Sequence, residues 1–355
     1  ASLHRVGLAT RPTSTHAGDG QELIDTRMVA AVRCAPPDNR PTIEERDTCA
    51  PWIDAELALV VGSVRVVVAL GGYGWDAALR SFRALGWEVP RPKPRFGHGA
   101  EAPLVLGDTM YLVTPFPNIS YALDLTKAGA PIKWSYAPNP TPVAIGKACC
   151  DTVNRGGAYA NGKIIYNLLD MHTVAVDAKT GKEVWRTKMG DVTHGETMTM
   201  APLVVGKKVY VGNSGGELGV WGWIAALDVD TGKEVWRAYS TGTDEQVKIG
   251  ADFKPFYSWM KGKDLGKTTW PPGMDRTGAG SVWAWISYDP DTNLIYYGTS
   301  NPSPRVPAQR PGYNLWTSAV FARDATTGMA KWAYQFTPHD QWDYGGVNEN
   351  VLLDV

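Results

Sequence analysis

The chain has 355 residues, 44% of them hydrophobic, and a formal net charge of −1. Its length allows one large domain or two medium ones, and its balanced charge, without a Lys or Arg run, argues against a nucleic-acid partner. Four cysteines are too few for a disulfide scaffold, and they form no haem-attachment motif and no paired zinc-binding motif.

Residues 1–95 form an atypical N-terminal segment, with polar stretches rich in Pro and Arg and only short apolar runs. The first residues, Ala1 to Arg5, show no secretory signal. A signal that had already been removed would leave the same pattern. The apolar stretch from Ala58 to Leu70 is shorter than the roughly 20 residues that span a bilayer, so we predict a buried strand or helix. A divergent domain, a disordered segment and an unrelated extension all remain open, and we assign the segment no function.

Beyond this segment, the composition is typical of many short strands joined by tight turns. The whole chain holds 15 Trp and 38 Gly, and only 20% of its residues are charged. We therefore predict an all-β fold for residues 96–355.

Two adjacent cysteines, Cys149 and Cys150, are the most unusual local feature of the sequence. Ordinary disulfides join Cα atoms roughly 4.4–6.8 Å apart, whereas neighbouring residues start about 3.8 Å apart, so a bridge between these two would close a strained ring. Such strain concentrates at functional sites, and the bridge would require an oxidising compartment. Two reduced, buried thiols are the alternative.

A repeat that ends in tryptophan occurs four times. Each copy has a strand, a turn that begins with Asp and a second strand; in the last three copies the turn reads Asp-x-x-Thr-Gly, and glycine supplies the positive φ that it needs. The copies begin at Asp124, Asp177, Asp228 and Asp324 and end at Trp134, Trp185, Trp236 and Trp332. Spacing near 50 residues fits a β-propeller of four-stranded antiparallel blades, with the tryptophans packed between blades. The longer last interval contains Phe253–Thr277, which is rich in Lys, Gly and Pro and predicts a surface loop.

Two polar residues follow apolar strands in the second half of the chain. Glu217 sits in a Gly-rich bend after Val209–Val211, and Asn301 follows Ile295–Tyr297. Carboxylate and amide oxygens are ligands of hard cations, and loops at strand ends could bring both residues to one ion. Taken singly, each is more often a turn residue.

Three side chains near the C-terminal end could serve as a general base. They are His339, Asp340 and Asp343. The residues alone do not rank them.

Five stretches, in this order, resemble the quinoprotein alcohol dehydrogenases, the methanol and ethanol dehydrogenase family that uses pyrroloquinoline quinone (PQQ). They are Cys149–Gly156, Gly195–Pro202, Gly212–Gly219, Gly298–Pro304 with Gln309–Gly312, and Thr337–Gly346. The resemblance runs from about Gly97 to the last residue. It implies a partial quinoprotein β-propeller over residues 96–355, with about half of the eight blades of the family.

The resemblance also implies a function. A periplasmic enzyme of this kind oxidises a small primary alcohol to the aldehyde by hydride transfer to PQQ, which calcium (Ca2+) polarises, and passes electrons to a c-type cytochrome. Asp343 looks like the catalytic base, and the metal ligands look like Glu217, Asn301 and Asp343. The residues that look like cofactor ligands are Cys149, Cys150, Arg155, Thr199, Ser214, Ser281 and Trp283.

Each cofactor residue has an implied role. The guanidinium fork of Arg155 would hydrogen-bond the quinone oxygens. Thr199, Ser214 and Ser281 match positions whose hydroxyls bind the carboxylates of the cofactor. Trp283 and a Cys149–Cys150 ring would cover its two faces.

The metal is predicted from one position. The lanthanide-using branch of the family has an additional Asp two residues after the catalytic Asp, and this chain has Gly345 there. Two protein carboxylates suit a divalent hard cation better than a trivalent one, so we expect calcium.

The sequence departs from the family pattern at three points. Ala100 stands where a cofactor-binding Glu is expected, with Glu101 one residue later, and Trp221 stands where Arg is usual. The second half of the family propeller is absent, so a second chain or a missing C-terminal half would be needed to close the ring. A non-catalytic periplasmic scaffold and an inactive truncated fragment therefore remain as alternatives.

Overall fold

The computed structural model describes most of the chain from residue 104 onwards and parts of the chain before it. The described residues are 9–11, 13, 16, 19–24, 26–30, 42–60, 64, 67, 71–86, 104–149, 151–348, 350 and 352. The chain divides into two compact units, Ala1–His98 and Gly99–Val355.

Among its described residues, the first unit has two helices, α1 (Ile43–Val60) and α2 (Gly71–Ala84). A capping box starts α1, because Thr42 Oγ1 accepts from Glu45 N at 3.2 Å and the Glu45 carboxylate accepts from Thr42 N at 2.7 Å. Most of the apolar stretch Ala58–Leu70 lies outside the described residues. Its described residues are helical at 58–60, but Leu59 is 87% exposed and Val67 is exposed, so the predicted burial is wrong there. Among the described helices, none is long and apolar enough to cross a membrane.

The second unit is built from four antiparallel sheets of four strands each, which confirms the predicted all-β, blade-like architecture. The first two sheets contain β1 (Leu104–Leu106), β2 (Thr109–Val113), β3 (Ser120–Asp124), β4 (Ile132–Tyr136), β5 (Gly157–Ala160), β6 (Lys163–Leu168), β7 (His172–Asp177) and β8 (Glu183–Lys188). The other two contain β9 (Leu203–Val205), β10 (Lys208–Gly212), β11 (Trp223–Asp228), β12 (Glu234–Tyr239), β13 (Ile286–Asp289), β14 (Leu294–Gly298), β15 (Ala319–Asp324) and β16 (Ala330–Gln335). Strand order in every sheet follows chain order, as in a propeller blade.

The repeated turns close through their aspartates. Asp177 Oδ1 accepts from the backbone N–H groups of Lys179 and Thr180 and from the Thr180 hydroxyl, and Gly181 has φ +71°. Asp228 makes the same set of bonds in the third sheet. Because these bonds favour the ionised carboxylate, with the threonine hydroxyl contributing most, the pKa of each aspartate is lowered.

The tryptophans that end the repeats pack on the glycine of the next turn. A Cβ built on Gly232 would lie 2.5 Å from the ring of Trp185, and one on Gly328 would lie 2.6 Å from the ring of Trp236. Trp185 also donates from Nε1 to Val229 O at 3.1 Å. The predicted packing of these tryptophans between blades is confirmed, and glycine is required at the turn because any side chain would collide with the ring.

Apolar cores fill the spaces between neighbouring sheets. The inward-facing residues of the inner strands, such as Ile165, Val209 and Ile224, are completely buried. Each side chain of this size contributes about 1.5–3 kcal/mol by burial.

The insertion Phe253–Thr277 is not a plain surface loop, so that prediction is wrong in part. Its backbone pairs with the outer edge of β16, with Lys254 N donating to Lys331 O at 2.8 Å and Phe256 N to Ala333 O at 3.0 Å. The buried Trp270 donates from Nε1 to Leu315 O at 2.6 Å. The segment also contains the short helix α4 (Leu265–Thr268), which follows α3 (Asp244–Val247). Covering an exposed sheet edge is the physical reason for its order.

Candidate functional site

The predicted site residues lie at one end of the sheets. In a four-stranded antiparallel sheet, the start of the first strand meets the ends of the second and fourth strands. Thr199 precedes β9 and Ser214 follows β10, whereas Ser281 precedes β13 and Asn301 follows β14. Asp343 follows β16, so the loops that carry these residues emerge on the same side.

Arg155, Thr199 and Ser214 form one hydrogen-bonded group. Arg155 donates to Thr199 Oγ1 at 2.7 Å, and Thr199 Oγ1 lies 3.1 Å from Ser214 Oγ. The backbone N–H of Arg155 also donates to Thr199 O at 3.1 Å. Burial lowers the pKa of Arg155, but a guanidinium stays charged in proteins. The group therefore presents a fixed positive charge beside two hydroxyls.

Trp283 places an aromatic face against this group. The Arg155 guanidinium carbon lies 5.2 Å from the centroid of the Trp283 ring and 5.8 Å from that of Trp285. Trp283 is half-buried, so its ring is partly accessible. A flat ring, a guanidinium and hydroxyls side by side suit a planar ligand that carries negative charge.

Ser281 is buried and bonded to a partner that the sequence did not single out. Its Oγ lies 2.9 Å from Ser300 Oγ, and its backbone N–H donates to the same atom at 2.9 Å. A Cβ built on Gly216 would lie 3.2 Å from Ser281 Oγ and 3.4 Å from Ser300 Oγ. The loop that carries Glu217 therefore packs directly on the loop that carries Asn301.

The predicted metal ligands contribute oxygen atoms only. Asn301 and Asp343 line one cavity of about 90 Å³, and Glu217 is exposed on the adjoining loop. Among the described residues, no group of three or more His, Cys, Asp or Glu side chains gathers around one point. The donor set fits a hard cation whose remaining ligands come from another oxygen-rich molecule.

Asp340 is an internal anchor of the loop at residues 340–345. It is 1% exposed, and it accepts from Ser318 Oγ at 2.8 Å, Trp342 N at 2.9 Å and Gly345 N at 3.0 Å. Burial alone raises the pKa of this carboxyl, but the hydrogen bonds outweigh it and hold the pKa below its ordinary value. A carboxylate with this many donors is poorly placed to take a proton from a substrate.

His339 and Asp343 have different surroundings. His339 Nδ1 lies 2.9 Å from Gly312 O and 3.2 Å from Asn314 Oδ1, so its ring is turned toward that loop. Asp343 has φ +65°, its side chain is 43% exposed, and it pairs with Arg305 at 2.5 Å. Asp343 is therefore the one of the three candidate bases that combines access to solvent with a place on the cavity.

Three further features noted in the sequence are the cysteine pair, the Ala100–Glu101 position and Trp221. Cys149 is exposed, but Cys150 lies outside the described residues, so a Cys149–Cys150 bridge stays a prediction. Ala100 and Glu101 also lie outside them. Trp221 stacks on Tyr239, with ring centroids 3.7 Å apart, and its indole N–H donates to Thr241 Oγ1 at 3.0 Å.

Sequence reasoning missed two residues at this end of the sheets, Ser300 and Arg305, and the anchoring role of Asp340. Ser300 bonds Ser281, Asp340 anchors the loop of Asp343, and Arg305 pairs with Asp343. A charged residue four positions after Asn301 in a proline-rich segment was the available signal for Arg305. No sequence signal separates a buried anchoring Asp from an exposed one three residues away.

Two family models match parts of the chain. The model described as "PQQ: Glucose/ethanol/alcohol dehydrogenase, beta-propeller domain" matches residues 86–355. The model of the uracil DNA glycosylase superfamily matches residues 1–131, and the two ranges overlap at residues 86–131.

Curated proteins and a solved structure show the same likeness. The lanthanide-dependent methanol dehydrogenase of Methylacidiphilum fumariolicum (strain SolV) is 52% identical over 71% of this chain and 42% of its own length. Subunit 1 of the methanol dehydrogenase [cytochrome c] of Methylobacterium organophilum is 49% identical over 70% of this chain and 40% of its own length. A europium-containing methanol dehydrogenase structure superimposes with a TM-score of 0.70 at 51% identity, covering 73% of this chain and 46% of that one. The chain thus spans less than half the length of these relatives.

Proposed function

Because this chain belongs to the family of PQQ-dependent glucose, ethanol and alcohol dehydrogenase β-propellers, we propose that it binds PQQ and a metal ion as part of an enzyme that oxidises a small primary alcohol to the aldehyde. The observation that carries the proposal is the group formed by Arg155, Thr199, Ser214 and Trp283. It lies at the same end of the sheets as the cavity of Asn301 and Asp343.

The residues present fit PQQ, which is planar and anionic. When bound, PQQ supplies an electrophilic quinone carbonyl that accepts a hydride. Trp283 would cover one face of the ring, and Thr199 and Ser214 would donate to its carboxylates. Arg155 would hold the quinone oxygens through donors other than Nη1, which bonds Thr199. Ser281 already bonds Ser300 at 2.9 Å and would have to share its hydroxyl.

We propose Glu217, Asn301 and Asp343 as the metal ligands and calcium as the metal. Support comes from the oxygen donors and from Gly345, which offers no third carboxylate. The similarity to a lanthanide-dependent methanol dehydrogenase makes a lanthanide the competing choice. The presence or absence of a carboxylate at position 345 is what distinguishes a lanthanide site from a calcium site.

Asp343 is the proposed base for the substrate hydroxyl. It borders the cavity, and Asp340 holds its loop through the N–H groups of Trp342 and Gly345. Asp343 would accept the proton of the substrate hydroxyl at Oδ1 or Oδ2. The anchor fixes where that carboxylate stands.

The other proposals follow from the family alone. They are a disulfide between Cys149 and Cys150 over the cofactor, a periplasmic location and a c-type cytochrome as electron acceptor. Mass mapping of the chain under non-reducing conditions tests the disulfide, because two free thiols or a bridge to another cysteine would contradict it.

The proposed function is tested by adding PQQ and calcium to the purified chain and following quinone absorbance through gel filtration. We expect the absorbance to co-elute with the chain and to be lost in Arg155→Met, whereas Arg186→Met, an exposed ion-pair variant away from the site, keeps it. Absence of co-elution in the unmodified chain favours a scaffold. Co-elution without alcohol oxidation identifies an inactive fragment.

We propose a second activity, release of uracil from DNA, for residues 1–131, and it would make nucleic acid a partner that the charge balance of the whole chain argues against. The match of residues 1–131 to the uracil DNA glycosylase superfamily is its single support. Release of uracil from uracil-containing DNA by the whole chain is the test, and an unmodified substrate after prolonged incubation rules it out.

A further inference from the structure

Arg305 stands at the cavity of the proposed base. Its guanidinium donates from one terminal nitrogen to Asp343 Oδ2 at 2.5 Å, and both residues line the cavity together with Asn301. The Arg305 side chain is 71% exposed. Within the described part of the chain, Asp343 is the only hydrogen-bond partner of this guanidinium, so the other donors of its fork face solvent.

The other charged residues of the cavity are used internally. Arg310 is 1% exposed and donates to Pro304 O at 2.7 Å, Asn314 Oδ1 at 2.9 Å and Asp340 O at 2.5 Å. The carboxylate of Asp340 already accepts hydrogen bonds from donors within its own loop and from Ser318. Of the charged residues that line the cavity, Arg305 and Asp343 are the two that remain accessible to a ligand.

The Arg305–Asp343 pair is easily opened. Ion pairs between exposed side chains add little to stability, because water screens them and two long side chains must be ordered. Engagement of Asp343 with a cation or a substrate hydroxyl would leave the guanidinium without a partner. A charged donor fork would then stand next to the base, with room for an anion.

We infer that Arg305 is a substrate-binding residue that selects short alcohols carrying a carboxylate close to the hydroxyl. The hydroxyl would donate to Asp343, and the carboxylate would accept from the fork of Arg305, as planar guanidinium groups do. This inference rests on the proposed function and adds no new chemical step to it.

The size of the cavity sets the length of the substrate. Its volume of about 90 Å³ would be shared with the metal ion held by Asn301 and Asp343, so it admits only a molecule of a few heavy atoms, such as 3-hydroxypropionate, whose carboxylate would lie at the exposed Arg305. A neutral alcohol of equal length would use Asp343 but leave the donors of Arg305 without a charged acceptor. Asp343 and Arg305 therefore suit a substrate with a hydroxyl and a carboxylate on neighbouring carbons better than a substrate with only one of these groups.

The test compares 3-hydroxypropionate with 1-propanol in the full enzyme reconstituted with PQQ and calcium. We expect Arg305→Gln to lower the ratio of kcat/KM for 3-hydroxypropionate to that for 1-propanol by about 10- to 100-fold, the effect of one lost charge-assisted hydrogen bond. Arg305→Lys keeps the charge without the fork and should lower it less. Lys127→Gln removes a cation of similar exposure, which pairs with Asp124, and should leave the ratio unchanged.

Calorimetric titration of the purified chain with 3-hydroxypropionate, propionate and 1-propanol gives a readout that does not depend on turnover. We expect 3-hydroxypropionate to bind more tightly than the other two, and Arg305→Gln to remove that advantage. An unchanged ratio and equal binding overturn the inference while oxidation of 1-propanol leaves the proposed function standing. If no alcohol is oxidised, the proposed function fails, and the titration still decides whether Arg305 binds the carboxylate.

Discussion

Asp340 and Asp343 are three residues apart, yet their environments give them different roles. Asp340 is buried under three hydrogen-bond donors, whereas Asp343 is partly exposed at the cavity. Removing a base reduces turnover without removing the cofactor, whereas removing an anchor reduces stability. This contrast gives a matched pair of substitutions.

Asp343→Asn is expected to lower kcat by about 100- to 10,000-fold with PQQ still bound, because the amide cannot accept the hydroxyl proton. Steady-state kinetics and quinone absorbance measure both effects. Asp340→Asn replaces an acceptor oxygen by an NH2 group facing Ser318 and Gly345 and should cost about 1–3 kcal/mol of stability in thermal unfolding. Full turnover in Asp343→Asn would move the role of base to His339 or Asp340.

Gly345→Asp is expected to shift metal preference toward a lanthanide. Gly345 has φ +61°, a conformation that Asp adopts at a cost of about 1–2 kcal/mol. Its Cβ would lie 3.5 Å from Asn301 N, which is ordinary contact, so a third carboxylate fits beside a proposed ligand.

Competitive titration of calcium against lanthanum, in the unmodified protein and in Gly345→Asp, measures the preference. Gly345→Ala controls for backbone strain. Stronger binding of lanthanum than calcium by the unmodified protein, or an identical ratio in both, would contradict the assignment of calcium.

At the scale of the element, the Trp–Gly contacts hold neighbouring blades together. Gly232→Ala would push a Cβ to 2.5 Å from the Trp185 ring at φ +69°. Gly206→Ala has φ +57° and meets nothing within 4 Å, so it carries the backbone strain alone. We expect Gly232→Ala to destabilise the protein by about 1–3 kcal/mol more than Gly206→Ala in urea unfolding, because of overpacking. Equal losses would show that the ring moves aside freely.

The turn aspartates make stability depend on pH. Threonine hydroxyl and backbone hydrogen bonds lower the pKa of Asp177 and Asp228, and they lower that of Asp124 to about 2. Each folded-state pKa lies below the unfolded value of about 3.9, so the stabilisation is complete above that value and is lost as pH falls toward 2.

Urea unfolding at pH 5, 4 and 3 should show a falling midpoint. The fall should be smaller in Asp177→Asn, whose amide does not titrate. A midpoint that stays constant or rises between pH 5 and pH 3 would contradict the prediction.

At the scale of the whole molecule, the series of blades has an open flank. Trp332 occupies the place that Trp134, Trp185 and Trp236 hold in the other blades, but the described residues contain four sheets and no fifth turn to cover it. Open sheet edges and apolar flanks favour association. The 355-residue chain alone is therefore expected to self-associate or to stay inactive. Sedimentation velocity measures association and alcohol oxidation measures activity, and a monodisperse, PQQ-loaded monomer that oxidises an alcohol would contradict the prediction.

The sequence by itself determined the repeating parts of this protein. Asp-x-x-Thr-Gly turns and terminal tryptophans are local signals, because the hydrogen bonds of Asp177 and the positive φ of Gly181 arise within a few residues. The blade architecture followed from their spacing. The motifs also located Arg155, Thr199 and Ser214, which the structure brings into one hydrogen-bonded group.

Only the tertiary structure decided how the candidate site is used. The Ser281–Ser300 contact joins residues 19 positions apart, and the Arg305–Asp343 pair joins residues 38 positions apart. The burial of Asp340 depends on neighbouring elements such as the one that carries Ser318. The order of the insertion depends likewise on the free edge of β16. Periodicity and turn chemistry report what a residue does to its own segment, whereas burial and pairing depend on which other segments fold against it.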